Sequence, residues 1–315
     1  MALRSYIAEE IAVDWSDGLL TRREALRRLG LMGFSLAGAA ALLAACGGAK
    51  NDSASDLAKQ GSATSAAPTT TTTTPAANPA TSAPPAGVAV NPAITIKFPG
   101  PNGELQAAWA TPADPKAGVL IVHENRSLRG HFYDLAGRLA VVGYAGLGVD
   151  LLSEEGGTAK LTDPAAPAAA LAAAPVERLL RDLQAGIDEL QRRLPGKPVG
   201  VVGFCFGGGM VWDLLSVGEG RLAAAVPFYG PIPDNPDFSK AKAAVLAIYA
   251  EHDTRVNDTR DAAMAALQAA GLTHEARIFP GTDHAFFNDT GPRYNAPAAK
   301  DAYAAMLDWF SKYLA

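Results

Sequence analysis

"VGFCFGGGMV" (Val202 to Val211) sets one cysteine between two phenylalanines, with glycine two positions before it and two positions after. A lone cysteine in an apolar stretch is often just a small buried residue. The neighbours argue for more. "PVGVVGF" (Pro198 to Phe204) reads as a strand, and a helix is expected from about Gly207. Cys205 therefore stands where a strand ends and a helix begins. In a parallel sheet this is the edge where sites are built. The spacing Gly203-x-Cys205-x-Gly207 is that of a tight strand-to-helix elbow carrying a nucleophile, with cysteine in place of serine. At such a turn, side chains two before and two after the nucleophile would strike neighbouring backbone. The helix start also favours a thiolate over a thiol.

The flanking pattern alternates strands and helices. "AITIKFPG" and "ELQAAWATP" form a predicted hairpin around "PNG", and "GVLIVHE" (Gly118 to Glu124) is a continuous apolar run suited to a buried strand. "YAGLGVDLL" (Tyr144 to Leu152) is the next strand. Val176, Leu179, Leu180, Leu183, Ile187 and Leu190 share one face of a long helix, which Pro195 and Gly196 stop. Strands at "LAAAVPFYG", "AAVLAIYAEHD" and "HEARIFPG" follow, with a last helix ending "MLDWFSKYLA". The fold class is α/β: a mostly parallel central sheet with helices on both faces, over residues 91–315.

An elbow of this kind predicts an acid and then a histidine further along the chain. Asp253 follows the strand "AVLAIYAEHD", and His284 follows the last strand, in "FPGTDHAFF". Read singly, Asp253 is an ordinary turn residue and His284 a loop histidine. Together, in that order and at those strand ends, they form a candidate catalytic set with Cys205.

With these residues in view, the sequence resembles the dienelactone hydrolases, a branch of the α/β-hydrolases. "GFCFGG", "HDTRV", "GTDHAFF" and the stretch from Val122 to Leu152 carry the resemblance, which spans about Ile94 to Leu314. It implies an α/β-hydrolase fold, a carboxylic ester hydrolase and no cofactor. It further implies that Glu124 lies beside Cys205 and can take its proton. Backbone N–H groups of Phe206 and Asn125 are the expected oxyanion donors. Phe206, Tyr229, Phe286 and Phe287 are candidate pocket residues, with core packing an equally good reading of any one of them. The two arginines with which the family holds its substrate's carboxylate are missing: Ser153, Glu154 and Glu155 stand at one place and Asn288 at the other. Arg126 and Arg293 lie near in sequence and are candidate substitutes. Otherwise a neutral ester or lactone is the expected substrate.

The 315 residues carry a net charge of −5, which argues against nucleic acid as a partner. Cys46 and Cys205 are the only cysteines, so neither a disulfide framework nor a redox protein with a resolving cysteine is indicated. His123, His131, His252 and His274 are scattered, and no metal is expected. A monomer is expected.

The front of the chain reads as an address. "TRREALRRLG" (Thr21 to Gly30) precedes a charge-free run from Leu29 to Ala45. Arg22 and Arg23 resemble a twin-arginine signal, although Ala25 stands where a large apolar residue is usual. "LAAC" (Leu43 to Cys46) resembles a bacterial lipobox, which implies cleavage before Cys46 and lipidation of its sulfur. An uncleaved membrane anchor is the other reading. The expected organisation is an export signal over 1–45, an Ala/Ser/Thr/Pro-rich tether over 46–90 that cannot bury a core, and the hydrolase domain. The site would then lie outside the cell membrane, tethered to its outer face. The rival function is an inactive surface lipoprotein that keeps the fold as a binding module.

Overall fold

The computed structural model describes residues 3–46 and 91–315; the expected tether, apart from Cys46, lies outside them. Strands β1 (Ile94–Gly100) and β2 (Gly103–Ala110) form the expected antiparallel hairpin. They are followed by β3 (Ala117–Val122), β4 (Tyr144–Val149), β5 (Val199–Phe204), β6 (Leu222–Phe228), β7 (Ala244–Ala250) and β8 (His274–Phe279). One sheet results, in the order β1-β2-β4-β3-β5-β6-β7-β8. β2 pairs antiparallel with β4, and every pairing from β4 onward is parallel. β3, β4, β5 and β7 are buried along their whole length, as their unbroken apolar runs require. The edge strands β1 and β8 are largely exposed or half-buried.

The chain steps from β3 to β4 on one side and later returns to β5 on the other. Such a reversal opens a crevice at the carboxyl ends of the strands. The helices numbered from the domain's start are α4 (Gly130–Val141), α5 (Ala166–Ala173), α6 (Val176–Arg193), α7 (Phe206–Ser216), α8 (Thr254–Asn257), α9 (Arg260–Ala269) and α10 (Ala296–Tyr313). α6 has the predicted bounds. Its buried residues Leu179, Leu180, Leu183, Ile187 and Leu190 recur every three or four positions. Glu177 in its first turn and Arg192 and Arg193 in its last oppose the helix dipole.

Residues 3–46, where the sequence suggests an export signal, are helical. They form α1 (Leu3–Ser16), α2 (Arg22–Leu31) and α3 (Leu36–Cys46). Thr21 caps α2 by accepting from the Glu24 N–H, the capping pattern Thr-x-x-Glu. Arg27 pairs with Asp163, in the loop before α5, at 2.8 Å, while Arg22 and Arg23 are exposed. The charge-free run does not form one helix. It breaks between α2 and α3, where Gly33 has φ +82°. Among the described residues, no helix is long and apolar enough to cross a membrane. α1 packs against α5 and α7, and Tyr6, Ile7, Ala8, Ile11 and Ala12 are buried in the same core as the sheet.

Leu183 is fully buried on the sheet-facing side of α6. Leu183→Ala is expected to cost about 3 kcal/mol, read as a lower urea midpoint with an unchanged slope.

Candidate active site

The elbow forms as its glycines dictate. Cys205 follows β5 and precedes α7, with φ +57° and ψ −120°, a conformation few non-glycine residues adopt. A Cβ on Gly203 would lie 2.1 Å from the Gly207 carbonyl oxygen. One on Gly207 would lie 2.3 Å from the Val122 oxygen and 2.6 Å from that of His123. Backbone thus meets backbone on both sides of Cys205, and only glycine leaves the room.

Asp253 ends the turn after β7 and opens α8, and His284 lies in the loop after β8. His284 Nδ1 meets Asp253 Oδ2 at 2.5 Å. A ring nitrogen of His284, Cys205 Sγ and a carboxylate oxygen of Glu10 lie within 4.8 Å of one another. Burial pulls the His284 pKa down. The carboxylates of Glu10 and Asp253 and the Cys205 sulfur outweigh it and hold it well above the ordinary imidazole range.

Glu124 follows β3 and lines the small cavity beside Cys205, together with Asn125 and Arg126. Its Oε2 accepts from Asn288 Nδ2 at 2.8 Å, and its buried Oε1 has no hydrogen-bond partner among the described residues. The loop carrying Asn288 is pinned by Asp289, which contacts His131 Nδ1 at 2.7 Å and Arg138 at 2.5 Å. His131, unassigned in the sequence reading, is therefore a support for this loop. Phe206 is the first residue of α7, so its N–H belongs to the unbonded first turn that faces the elbow.

The aromatic candidates pack as core residues. Phe287 turns into the core, with ring centroids 5.1 Å from both Phe204 and Phe228. Phe286 packs on Tyr229 and Phe279. Tyr229 backs the His284 ring at 5.0 Å. All three are buried by the sheet and its loops, whereas the two candidate arginines, Arg126 and Arg293, both line the cavity.

The sequence reading missed Tyr6, Glu10, Asp14 and Arg255. Tyr6 donates its hydroxyl to Cys205 Sγ at 3.4 Å. Glu10 lies 3.5 Å from His284 Nε2 and is bonded by Arg255. Burial opposes the Glu10 charge, but His284, Arg255 and Arg293 hold its pKa at about 2. Asp14 bridges Arg293 at 2.9 Å and Arg126 at 3.3 Å. Its carboxyl is pushed up by burial and by Glu10. The signal for three of these was present: Tyr6, Glu10 and Asp14 are spaced i, i+4, i+8 and share one helix face. Glu10, Cys205 and His284 are metal-ligand types at close range. The Arg255 guanidinium already occupies the Glu10 carboxylate and repels a cation there.

Residues 105–314 match the model of the dienelactone hydrolase family. The chain belongs to that family. A Methylorubrum extorquens relative named "Putative carboxymethylenebutenolidase" is 30% identical over 234 residues, covering 69% of this chain and 80% of its own. A relative of the same name from Escherichia coli strain K12 is 29% identical over 234 residues, covering 69% and 85%. Among solved structures, the "Putative Dienelactone Hydrolase" of Klebsiella pneumoniae superposes with a TM-score of 0.63 at 29% identity, over 70% of this chain and 98% of that one. The dienelactone hydrolase of Anabaena variabilis shares the fold, with a TM-score of 0.55 at 20% identity. Membership in the dienelactone hydrolase family makes the chain a hydrolase. The elbow, Glu124, Asp253 and His284 all fall inside the matched residues, and α1–α3 fall outside them.

Gly207→Ala forces a Cβ against two carbonyl oxygens. The expected loss is about 3 kcal/mol, measured by urea unfolding, with Cys205 reactivity falling as the elbow shifts.

Proposed function

We propose that this family member cleaves a small carboxylic ester or lactone by acyl transfer to Cys205. The observation that carries the reading is the positive-φ Cys205 at the start of α7, with an Asp253-bonded histidine facing it. His284 Nε2 takes the thiol proton, with Glu124 as the second acceptor in reach of the cavity. The sulfur attacks the carbonyl carbon, and the oxyanion is met by the N–H groups of Phe206 and Asn125. The carbon–oxygen bond breaks, and the leaving alcohol takes the proton from His284. Water, deprotonated by His284, then hydrolyses the thioester and frees the carboxylic acid. Asp253 keeps the imidazole oriented throughout and does not touch substrate. The relatives' name, carboxymethylenebutenolidase, agrees with lactone cleavage.

The test is turnover of a panel of small aryl esters and lactones by the full chain. Cys205→Ala is expected to lower kcat/KM by about 10³-fold or more, and His284→Ala by a similar factor. The double variant should fall little further, since the groups act as a unit. Asp253→Asn should cost less than either. Full activity in Cys205→Ala would overturn the mechanism.

We also infer that the chain is exported and held at the outer face of the membrane through Cys46. The support is the basic start, the charge-free run and "LAAC". Cys46→Ala is expected to abolish metabolic labelling by a radioactive fatty acid and to leave the leader uncut.

A further inference from the structure

α1 lies where substrate must come. Tyr6 covers the sulfur, Glu10 stands against the Nε2 of the proposed base, and Arg255 also donates to the Tyr6 carbonyl at 3.1 Å. The Arg255 guanidinium lies 4.4 Å above the Tyr6 ring. Further along the helix, Arg293 and Arg126 share Asp14, and Arg293 reaches Asp17 at 2.6 Å. With α1 in place, Cys205 is 3% exposed and His284 4%. The cavity left beside the sulfur holds about 30 Å³. That is room for a water or two, against the several hundred Å³ of a small-molecule site.

We propose that α1 is an intramolecular inhibitor, an acidic helix bound in the substrate groove and read by Arg126, Arg255 and Arg293. This inference rests on the proposed site at Cys205. Every bond that the described arginine heads of Arg255 and Arg293 make here goes to α1 or to Asp17 just after it. The groove thus recognises this helix through charge at three points, while Ile7, Ile11 and Ala12 bury its apolar side. The family-matched residues 105–314 contain the elbow, acid and histidine but none of α1. A helper supplying catalytic groups would leave space for an ester beside the sulfur; α1 leaves none. The chain is latent while α1 is seated, and release of α1, by opening or by a cut before Cys46, uncovers the thiol.

The experiment uses the full chain with Cys46→Ala, so that Cys205 is the sole thiol. Two variants loosen the helix by different means: Glu10→Ala/Asp14→Ala removes the charges, and Ile11→Asp disrupts the apolar side away from the site. The readouts are the rate of Cys205 alkylation by iodoacetamide and kcat/KM on an aryl ester. Both variants are expected to alkylate at least tenfold faster than the parent, with kcat/KM rising by a comparable factor. Equal alkylation rates in all three proteins would overturn the proposal. So would faster alkylation with a lower kcat/KM in Ile11→Asp, because α1 would then be supplying catalytic groups. Faster alkylation with no ester turnover in any of the three leaves the inhibitor standing and removes the cysteine-hydrolase reading instead.

Discussion

The site depends on one close contact between two stretches of backbone. Gly203 pairs with Val122 in the sheet, and Gly207 lies against the carbonyls of Val122 and His123. The position of the sulfur is therefore fixed relative to the end of β3, from which His123, Glu124 and Asn125 follow directly. His123 makes this junction rigid. It is fully buried, and burial lowers its pKa, so the ring is neutral. Its Nε2 accepts from the Leu151 N–H at 3.2 Å, which leaves Nδ1–H to donate to the Glu124 carbonyl at 2.7 Å. One histidine thus ties the loop after β3 to the loop after β4.

Much of this was legible in the sequence because the constraints are local. A turn that tight demands glycine at two fixed offsets, and a helix facing a sheet demands apolar residues every three or four positions. Hence the elbow and α6 could be read directly, and Asp253 and His284 followed from strand order. The short α5 could not: "APAAALAA" is apolar all round and gives no periodicity to read. The placement of α1 was also hidden. Its face of Tyr6, Glu10 and Asp14 is visible in the spacing, but Arg255 and Arg293 lie more than 240 residues away. Only the folded chain brings them together. The placing of the aromatic candidates was hidden for a related reason. Phe286 and Phe287 adjoin His284 in sequence, yet Ala285 at φ +66° turns the chain so that both rings enter the core.

Helix α1 is held by two kinds of interaction with different roles. Its buried apolar residues supply attraction without direction, at about 25 cal/mol per Å² removed from water. Its carboxylates supply registration. A buried ion pair returns little net energy after desolvation, but it penalises any displaced arrangement that leaves a charge unpaired. A shift of one helical turn would carry one carboxylate to the other's arginine but leave the second carboxylate and the second arginine without each other in a largely dry interface.

The backbone of Cys205 carries a further consequence. Its positive φ costs roughly 1–3 kcal/mol for any residue with a Cβ, and the cost is set by the turn rather than by the sulfur. Serine at this position would bear the same load, so the elbow is a mount on which the reactive atom can be exchanged without refolding. Glycine alone would relax it, and glycine has nothing to react with. At residue 205, selection for a sturdier protein and selection for a working one point in opposite directions.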